Sequence, residues 1–85
     1  MYSFVITSTK NLTHGRNAAQ LVYSLNPIKS SVYLEKEGRR INAKSILGLL
    51  SAGIVEGEKI TVNINNENDF TEVKKIITEF FSKED

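Results

Sequence analysis

Hydrophobic side chains recur with two different periods along this chain, and their order constrains the fold more than any other feature. Segments 2–8, 31–36 and 59–65 alternate apolar and polar residues, which is the period of a strand with one buried face. Segments 15–25, 46–52 and 69–82 place apolar residues at helical spacing instead. With 39–42 as the second strand of a hairpin, the predicted order is β-α-β-β-α-β-α.

Turn and cap residues mark where these elements end. Asn26-Pro27 stops the first helix because proline bars the helical region to the residue before it. Glu37-Gly38 supplies the hairpin turn, and Gly53 is placed to end the second helix in the left-handed conformation. Asp69 with Glu72 fits a capping pattern at the start of the last helix.

A chain of 85 residues is large enough for one domain, spanning 1–85, with one sheet and one layer of helices. The economical α+β solution is a four-stranded antiparallel sheet with three helices packed on one face. A ferredoxin-like split βαβ arrangement is the alternative topology. The last helix is expected to contribute Phe70, Val73, Ile77, Phe80 and Phe81 to the core.

The composition argues against several classes of ligand and binding site. Eleven basic and ten acidic residues nearly cancel, which argues against direct nucleic-acid binding and against attachment to an anionic membrane. The absence of cysteine and the single histidine argue against a metal site, and no motif calls for a cofactor. No targeting segment or apolar run approaching 18 residues is present, so we expect no membrane insertion and a cytoplasmic location.

The single histidine, His14, lies at the predicted start of the first helix. A neutral imidazole there can attack phosphorus, because the free N–H groups and the dipole of the helix favour a phosphoryl group. Arg16 could bind phosphoryl oxygens through its guanidinium fork. The alternative is an exposed N-cap histidine with a solvated arginine beside it. Asn17 is expected to face water, or less readily to donate to a phosphoryl oxygen.

Two local motifs carry a resemblance to a known family. The run Leu12–Ala18 reads Leu-Thr-His-Gly-Arg-Asn-Ala, against Gly-(Ile/Leu)-His-Ala-Arg-Pro-Ala in that family. The run Asn42–Ile54 matches Asn-x-Lys-Ser-Ile-Met-Gly-x-Met-Ser-x-Gly-Ile more closely. The chain therefore resembles the HPr family, the histidine-containing phosphocarriers of the bacterial sugar phosphotransferase system, over nearly its whole length. A family proline is replaced by Asn17, which we expect to loosen the histidine loop.

The resemblance implies an open-faced sandwich and a phosphocarrier rather than an enzyme. It implies that His14 accepts a phosphoryl group on Nδ1 from phosphorylated enzyme I and passes it to a IIA component, with Arg16 stabilising the group. It also implies that Ser45, a good helix N-cap, is phosphorylated by HPr kinase, with Arg39, Arg40 and Lys44 near it in sequence. The residues singled out for docking partner proteins are Ile46, Leu47 and Leu50. We expect a monomer.

Two alternatives belong to other functional classes. The paralogue Crh carries glutamine in place of the histidine and acts through its serine by binding a catabolite-control repressor. The intact Lys44-Ser45-Ile46 region would suit such a regulatory module, although His14 argues against it. A small basic nucleic-acid binder is the second alternative, with only Arg39, Arg40 and Lys44 in its favour.

Overall fold

The computed structural model describes residues 2–82, and its elements follow the predicted order. They are β1 (Tyr2–Thr7), α1 (Gly15–Ser24), β2 (Val32–Lys36), β3 (Arg39–Asn42), α2 (Ile46–Ala52), β4 (Lys59–Ile64) and α3 (Glu67–Phe81). The bounds of β3 and α2 are those predicted from the sequence. The other elements differ from prediction by one or two residues at an end, where helices and strands commonly fray.

The four strands form one antiparallel sheet in the order β1-β4-β2-β3. In the central strand β4, Val62 pairs with Phe4 of β1 on one side and with Leu34 of β2 on the other. Strand β1 lies at an edge of the sheet, whereas the ferredoxin-like alternative would place it inside. The fold is therefore the α+β open-faced sandwich.

The helices cover one face of the sheet because alternate strand residues on that face are apolar. Helix α3 packs on β1 and β4, α2 packs on β3, and α1 packs against both other helices. The rings of Tyr2 and Phe4 both contact Phe70 of α3, the latter edge-to-face with ring centroids 5.9 Å apart. On the opposite, uncovered face, Val5 is 64% exposed. The guanidinium of Arg40 lies there 3.9 Å from the Tyr33 ring centroid.

Two tight turns follow the prediction. Glu37 and Gly38 connect β2 to β3 with positive φ angles of 49° and 80°, as a two-residue hairpin turn of the primed kind requires. Gly53 ends α2 with a φ of 66°, a left-handed conformation that glycine adopts without a Cβ penalty.

The start of α3 differs from the prediction. The N-cap is Asn66, whose side-chain oxygen accepts a hydrogen bond from the Asn68 amide at 2.9 Å, so the helix begins at Glu67 and not at Asp69. Glu67 and Asp69 then fall in the first turn, where carboxylates suit the positive helix end. Of the five residues predicted as core, Phe70 is half-buried and the other four are buried.

Candidate functional site

His14 is the N-cap residue of α1. Its backbone is extended, with φ −88° and ψ 127°, and its carbonyl accepts the first helical hydrogen bond from Ala18 at 3.1 Å. The imidazole is exposed and makes no capping hydrogen bond to the helix. The amides of the first turn therefore remain available to an anion bound at this end.

Arg16 lies in the first turn of the same helix, two residues beyond His14. Its side chain is exposed and forms no hydrogen bond or ion pair with the residues between 2 and 82. A guanidinium without a competing carboxylate keeps its donors free for phosphoryl oxygens. His14 and Arg16, the two residues predicted to handle the phosphoryl group, thus lie at the same end of α1.

Asn17 is not the water-facing residue expected from the sequence. It is only 7% exposed, and its Nδ2 donates to the backbone carbonyl of Asn11 at 3.0 Å. The same carbonyl accepts from the His14 amide at 3.3 Å. Asn17 therefore ties the first helical turn to the loop that precedes it, and one of its two amide hydrogens is committed there.

Two hydrogen bonds join that loop to the segment between α2 and β4. The Leu12 amide donates to the Ile54 carbonyl at 2.9 Å, and the Glu56 amide donates to Asn11 Oδ1 at 2.9 Å. Leu12, which stands where the family has glycine, is fully buried in the core. The His14 loop is thereby fixed against the chain that leaves α2.

Lys36 and Glu58 fix this supporting segment in turn. The Lys36 ammonium forms a 2.9 Å ion pair with Glu58 and donates to the Gly53 carbonyl at 2.9 Å. Glu58 also accepts from the Val55 amide at 2.8 Å. The hydrogen bond from Lys36, followed by that from Val55, lowers the pKa of the Glu58 carboxyl.

Ser45 is the N-cap of α2, as predicted. Its Oγ accepts a hydrogen bond from the Gly48 amide at 3.0 Å, and the side chain is half-buried. A Cβ on Gly48 would lie 3.2 Å from Ser45 Oγ and 3.3 Å from Ser45 Cβ. A Cβ at position 48 would therefore require the Ser45 side chain to shift by a few tenths of an ångström.

Two of the three cations close to Ser45 in sequence are engaged elsewhere. Lys44 Nζ donates to the carbonyls of Ile28 and Ser30, the latter at 2.8 Å. Arg40 lies over the Tyr33 ring on the uncovered sheet face. The structure therefore gives Lys44 a structural task, linking the start of α2 to the segment that follows α1.

Helix α2 turns part of its apolar surface outward. Leu47 is 77% exposed and Ile46 is 41% exposed, whereas Leu49 is completely buried in the core. Leu50 is half-buried and packs against the core. We call the surface formed by Ile46, Leu47 and Leu50 the α2 patch. Four aliphatic residues on a helix of only seven residues cover too wide an arc for all of them to face the core.

His14 lies at the start of α1, which is beside the C-terminal end of α2. The bond from Leu12 to Ile54 places the start of α1 beside the end of α2. Helix α2 has seven residues, so it extends about 10 Å from there back to Ser45. One partner surface of ordinary size could cover His14 and the α2 patch together.

Residues 2–82 contain neither a candidate metal site nor a candidate membrane span. No three His, Asp or Glu side chains come together in a geometry that could hold a metal ion. In the same range, no helix combines the length and the apolar character needed to cross a membrane.

The fold and the site together define a class of protein: a small α+β sandwich that presents one exposed histidine at a helix N-terminus and exposed aliphatic side chains on the neighbouring helix α2. The family model described as "PTS HPr component phosphorylation site" matches residues 3–82. The chain belongs to this HPr family, whose members are carrier proteins of the phosphotransferase system rather than conventional enzymes.

The similar proteins include some named HPr-like protein Crh and others named phosphocarrier protein HPr. The chain is 41% identical over 69 residues to the HPr-like protein Crh of Halalkalibacterium halodurans, covering 81% of each chain. It is 31% identical over 75 residues to the phosphocarrier protein HPr of Xylella fastidiosa, covering 88% of this chain and 83% of that protein. A crystal structure of HPr from Thermoanaerobacter tengcongensis superimposes with a TM-score of 0.79 at 27% identity, covering 99% of both chains.

Proposed function

We propose that this protein is a phosphocarrier of the sugar phosphotransferase system, with His14 as the acceptor. The observation that supports this most is the geometry of the α1 N-terminus. An exposed imidazole without a capping bond stands at the helix end where an anion is best accommodated. Phosphorylated enzyme I is the proposed donor, and a IIA component is the proposed acceptor.

The transfer step is a displacement at phosphorus. The lone pair of His14 Nδ1 forms the new P–N bond, while the bond between phosphorus and the donor atom breaks and leaves its electron pair on the donor. The first-turn amides of α1 and the guanidinium of Arg16 stabilise the negative charge on the equatorial oxygens. Transfer to the IIA component repeats the step with His14 as the leaving group.

The α2 patch is the proposed docking surface for both partners. Its exposed members, Ile46 and Leu47, gain stabilisation only when a partner removes them from water. The end of α2 lies beside the start of α1 and the helix is only about 10 Å long, so a partner of ordinary size docked on the patch also reaches His14. The patch and the nucleophile form one functional face.

Ser45 is the proposed regulatory site. A phosphoryl group would add about −1.5 to −2 charge at the edge of the α2 patch. The Gly48 amide, which already donates to Ser45 Oγ, is available to a phosphoryl oxygen after a small reorientation. With Lys44 bonded to the carbonyls of Ile28 and Ser30 and Arg40 over the Tyr33 ring, neither cation would neutralise this charge, which would oppose apolar docking.

Phosphoryl acceptance is tested by incubating the protein with enzyme I and phosphoenolpyruvate and measuring intact mass. The proposal predicts a gain of one phosphate that brief acid treatment removes, because phosphohistidine is acid-labile. His14→Ala should show no gain, and Ser45→Ala should behave as the parent. An acid-stable gain, or none with an enzyme I that phosphorylates an authentic HPr, would refute the proposed carrier function.

A second candidate function is a Crh-like regulatory module that binds a repressor through phosphorylated Ser45. The higher identity to the Crh relative, 41% against 31% for the HPr relative, favours it. HPr kinase with ATP separates the two candidates. An acid-stable phosphate on Ser45, together with no transfer from enzyme I, would establish the regulatory module; transfer to His14 would exclude a purely serine-operated role.

The proposed carrier is a one-domain monomer that works in the cytoplasm. Light scattering after gel filtration tests the oligomeric state at micromolar concentration. A mass close to 9.5 kDa is expected, and a mass twice as large would contradict this part of the proposal.

A further inference from the structure

We propose that Asn17 is a positioning residue for His14, and that its hydrogen bond to Asn11 performs the task for which other sequences of this pattern use a proline. The inference rests on the proposed phosphocarrier function. It assigns Asn17 no contact with the phosphoryl group. Its role is to fix the loop from which the imidazole projects.

Two hydrogen bonds to one carbonyl restrain the loop that carries His14. The Asn11 carbonyl accepts from the His14 amide at 3.3 Å and from Asn17 Nδ2 at 3.0 Å. One oxygen therefore ties down the residue that carries the nucleophile and the first turn of the helix behind it. Thr13, His14 and Gly15 are all exposed and lie between Asn11 and Asn17.

The acceptor is itself held in place. Asn11 Oδ1 accepts from the Glu56 amide at 2.9 Å, and the next residue, Leu12, is fully buried and donates to the Ile54 carbonyl at 2.9 Å. A hydrogen bond restrains a loop only if its partner does not move with it. Here the partner belongs to a backbone fixed against the segment between α2 and β4.

The backbone next to His14 needs a restraint because a glycine follows the histidine. Gly15 has nothing within 4 Å of where a Cβ would lie, so the residue after His14 has conformational freedom and no packing to limit it. A proline at position 17 would reduce freedom by fixing φ, whereas asparagine does not. The burial of Asn17, with 7% of its surface exposed, is favourable only because its amide is paired. Its side chain thus supplies a restraint that its backbone does not.

Three variants test the proposal. Asn17→Ala removes the donor, Asn17→Pro removes the donor but fixes φ, and Gln20→Ala is a control at an exposed position one turn further along α1. For each, initial rates of phosphorylation by enzyme I give kcat and KM, and backbone ¹⁵N relaxation gives order parameters for residues 13–15. Gly48 and other residues outside the loop serve as internal references in the same spectra.

We expect Asn17→Ala to lower kcat by at least fivefold while KM changes by less than twofold, since small displacements of a reacting group are costly and docking is unaffected. Order parameters of residues 13–15 should fall in the same variant. Asn17→Pro should recover most of the parental kcat, and Gln20→Ala should match the parent in both measurements. If Asn17→Ala does not fold, Asn17→Ser, which keeps a donor of shorter reach, takes its place with the same expectation.

An unchanged kcat in a folded Asn17→Ala variant would overturn the proposal, as would an unchanged order parameter at His14. These outcomes differ from failure of the proposed function itself, in which the parent accepts no phosphate from a competent enzyme I. In that case the relaxation data alone decide whether Asn17 restrains the loop.

Discussion

Leu47 offers the sharpest test of the α2 patch as a docking surface. Because 77% of its surface is exposed, we expect Leu47→Ser to change the free energy of unfolding by less than about 0.5 kcal/mol. Burying a leucine side chain is worth about 1.5–3 kcal/mol. The part still exposed in the free protein therefore corresponds to roughly 1–2 kcal/mol in the complex, or about 5- to 30-fold in affinity.

The assay is the initial rate of phosphorylation by enzyme I as a function of protein concentration. Leu47→Ser should raise KM by the stated factor with kcat unchanged, because the substitution removes binding and leaves His14 in place. Val5→Ser is the matched control: Val5 is 64% exposed but lies on the uncovered sheet face, away from the helices. Urea unfolding of both variants checks that neither loses the fold.

Two results would refute the reasoning. Equal KM values for Leu47→Ser and Val5→Ser would show that the α2 patch is not the surface that partners touch. A loss of more than about 1 kcal/mol of folding stability in Leu47→Ser would show that the side chain supports the core, since truncation of exposed residues usually changes stability by less.

Two further predictions concern stability. Gly48→Ala should stabilise the protein less than Gly15→Ala, because crowding of the capping Ser45 side chain offsets the helix preference of alanine, about 1 kcal/mol, whereas a Cβ on Gly15 lies in open space; equal changes in the urea midpoint would contradict this. The lowered pKa of Glu58, beside Lys36, contributes stability that is present above the carboxyl's ordinary pKa and is lost as pH falls through its lowered value. The stability difference between the parent and Glu58→Gln should therefore shrink as pH falls from 7 towards 3, and a difference that stays constant would contradict it.

Much of the fold was predictable because local patterns and tertiary structure agree. The alternating segments became strands, the turn at Glu37-Gly38 adopted the positive φ angles that its residues favour, and Gly53 ended α2. The predicted start of α3 was wrong because the sequence offers two polar residues, Asn66 and Asp69, that could cap the helix. Asp69 fits a local sequence pattern, but Asn66 is the residue whose backbone is extended at the point where the helix begins.

The candidate site was predictable only where its chemistry is local. His14 and Ser45 were placed at helix starts from sequence alone, and both are N-cap residues. Asn17 was misjudged because its partner, the Asn11 carbonyl, is brought to it by a loop whose path depends on tertiary contacts. Lys44 is next to Ser45 in sequence, but its ammonium donates to carbonyls of a segment some fifteen residues earlier. No periodicity or motif signals contacts of this kind.

The relay of phosphate from donor to acceptor tests the central claim most directly. Enzyme I, labelled phosphoenolpyruvate and a panel of IIA components are combined with and without the protein, and label on the IIA component is followed over time. If the protein is a carrier, label reaches at least one IIA component only when the protein is present. His14→Ala should abolish this transfer, and Ser45→Ala should not. Transfer that persists with His14→Ala, or a labelled protein that passes phosphate to no IIA component, would contradict the account.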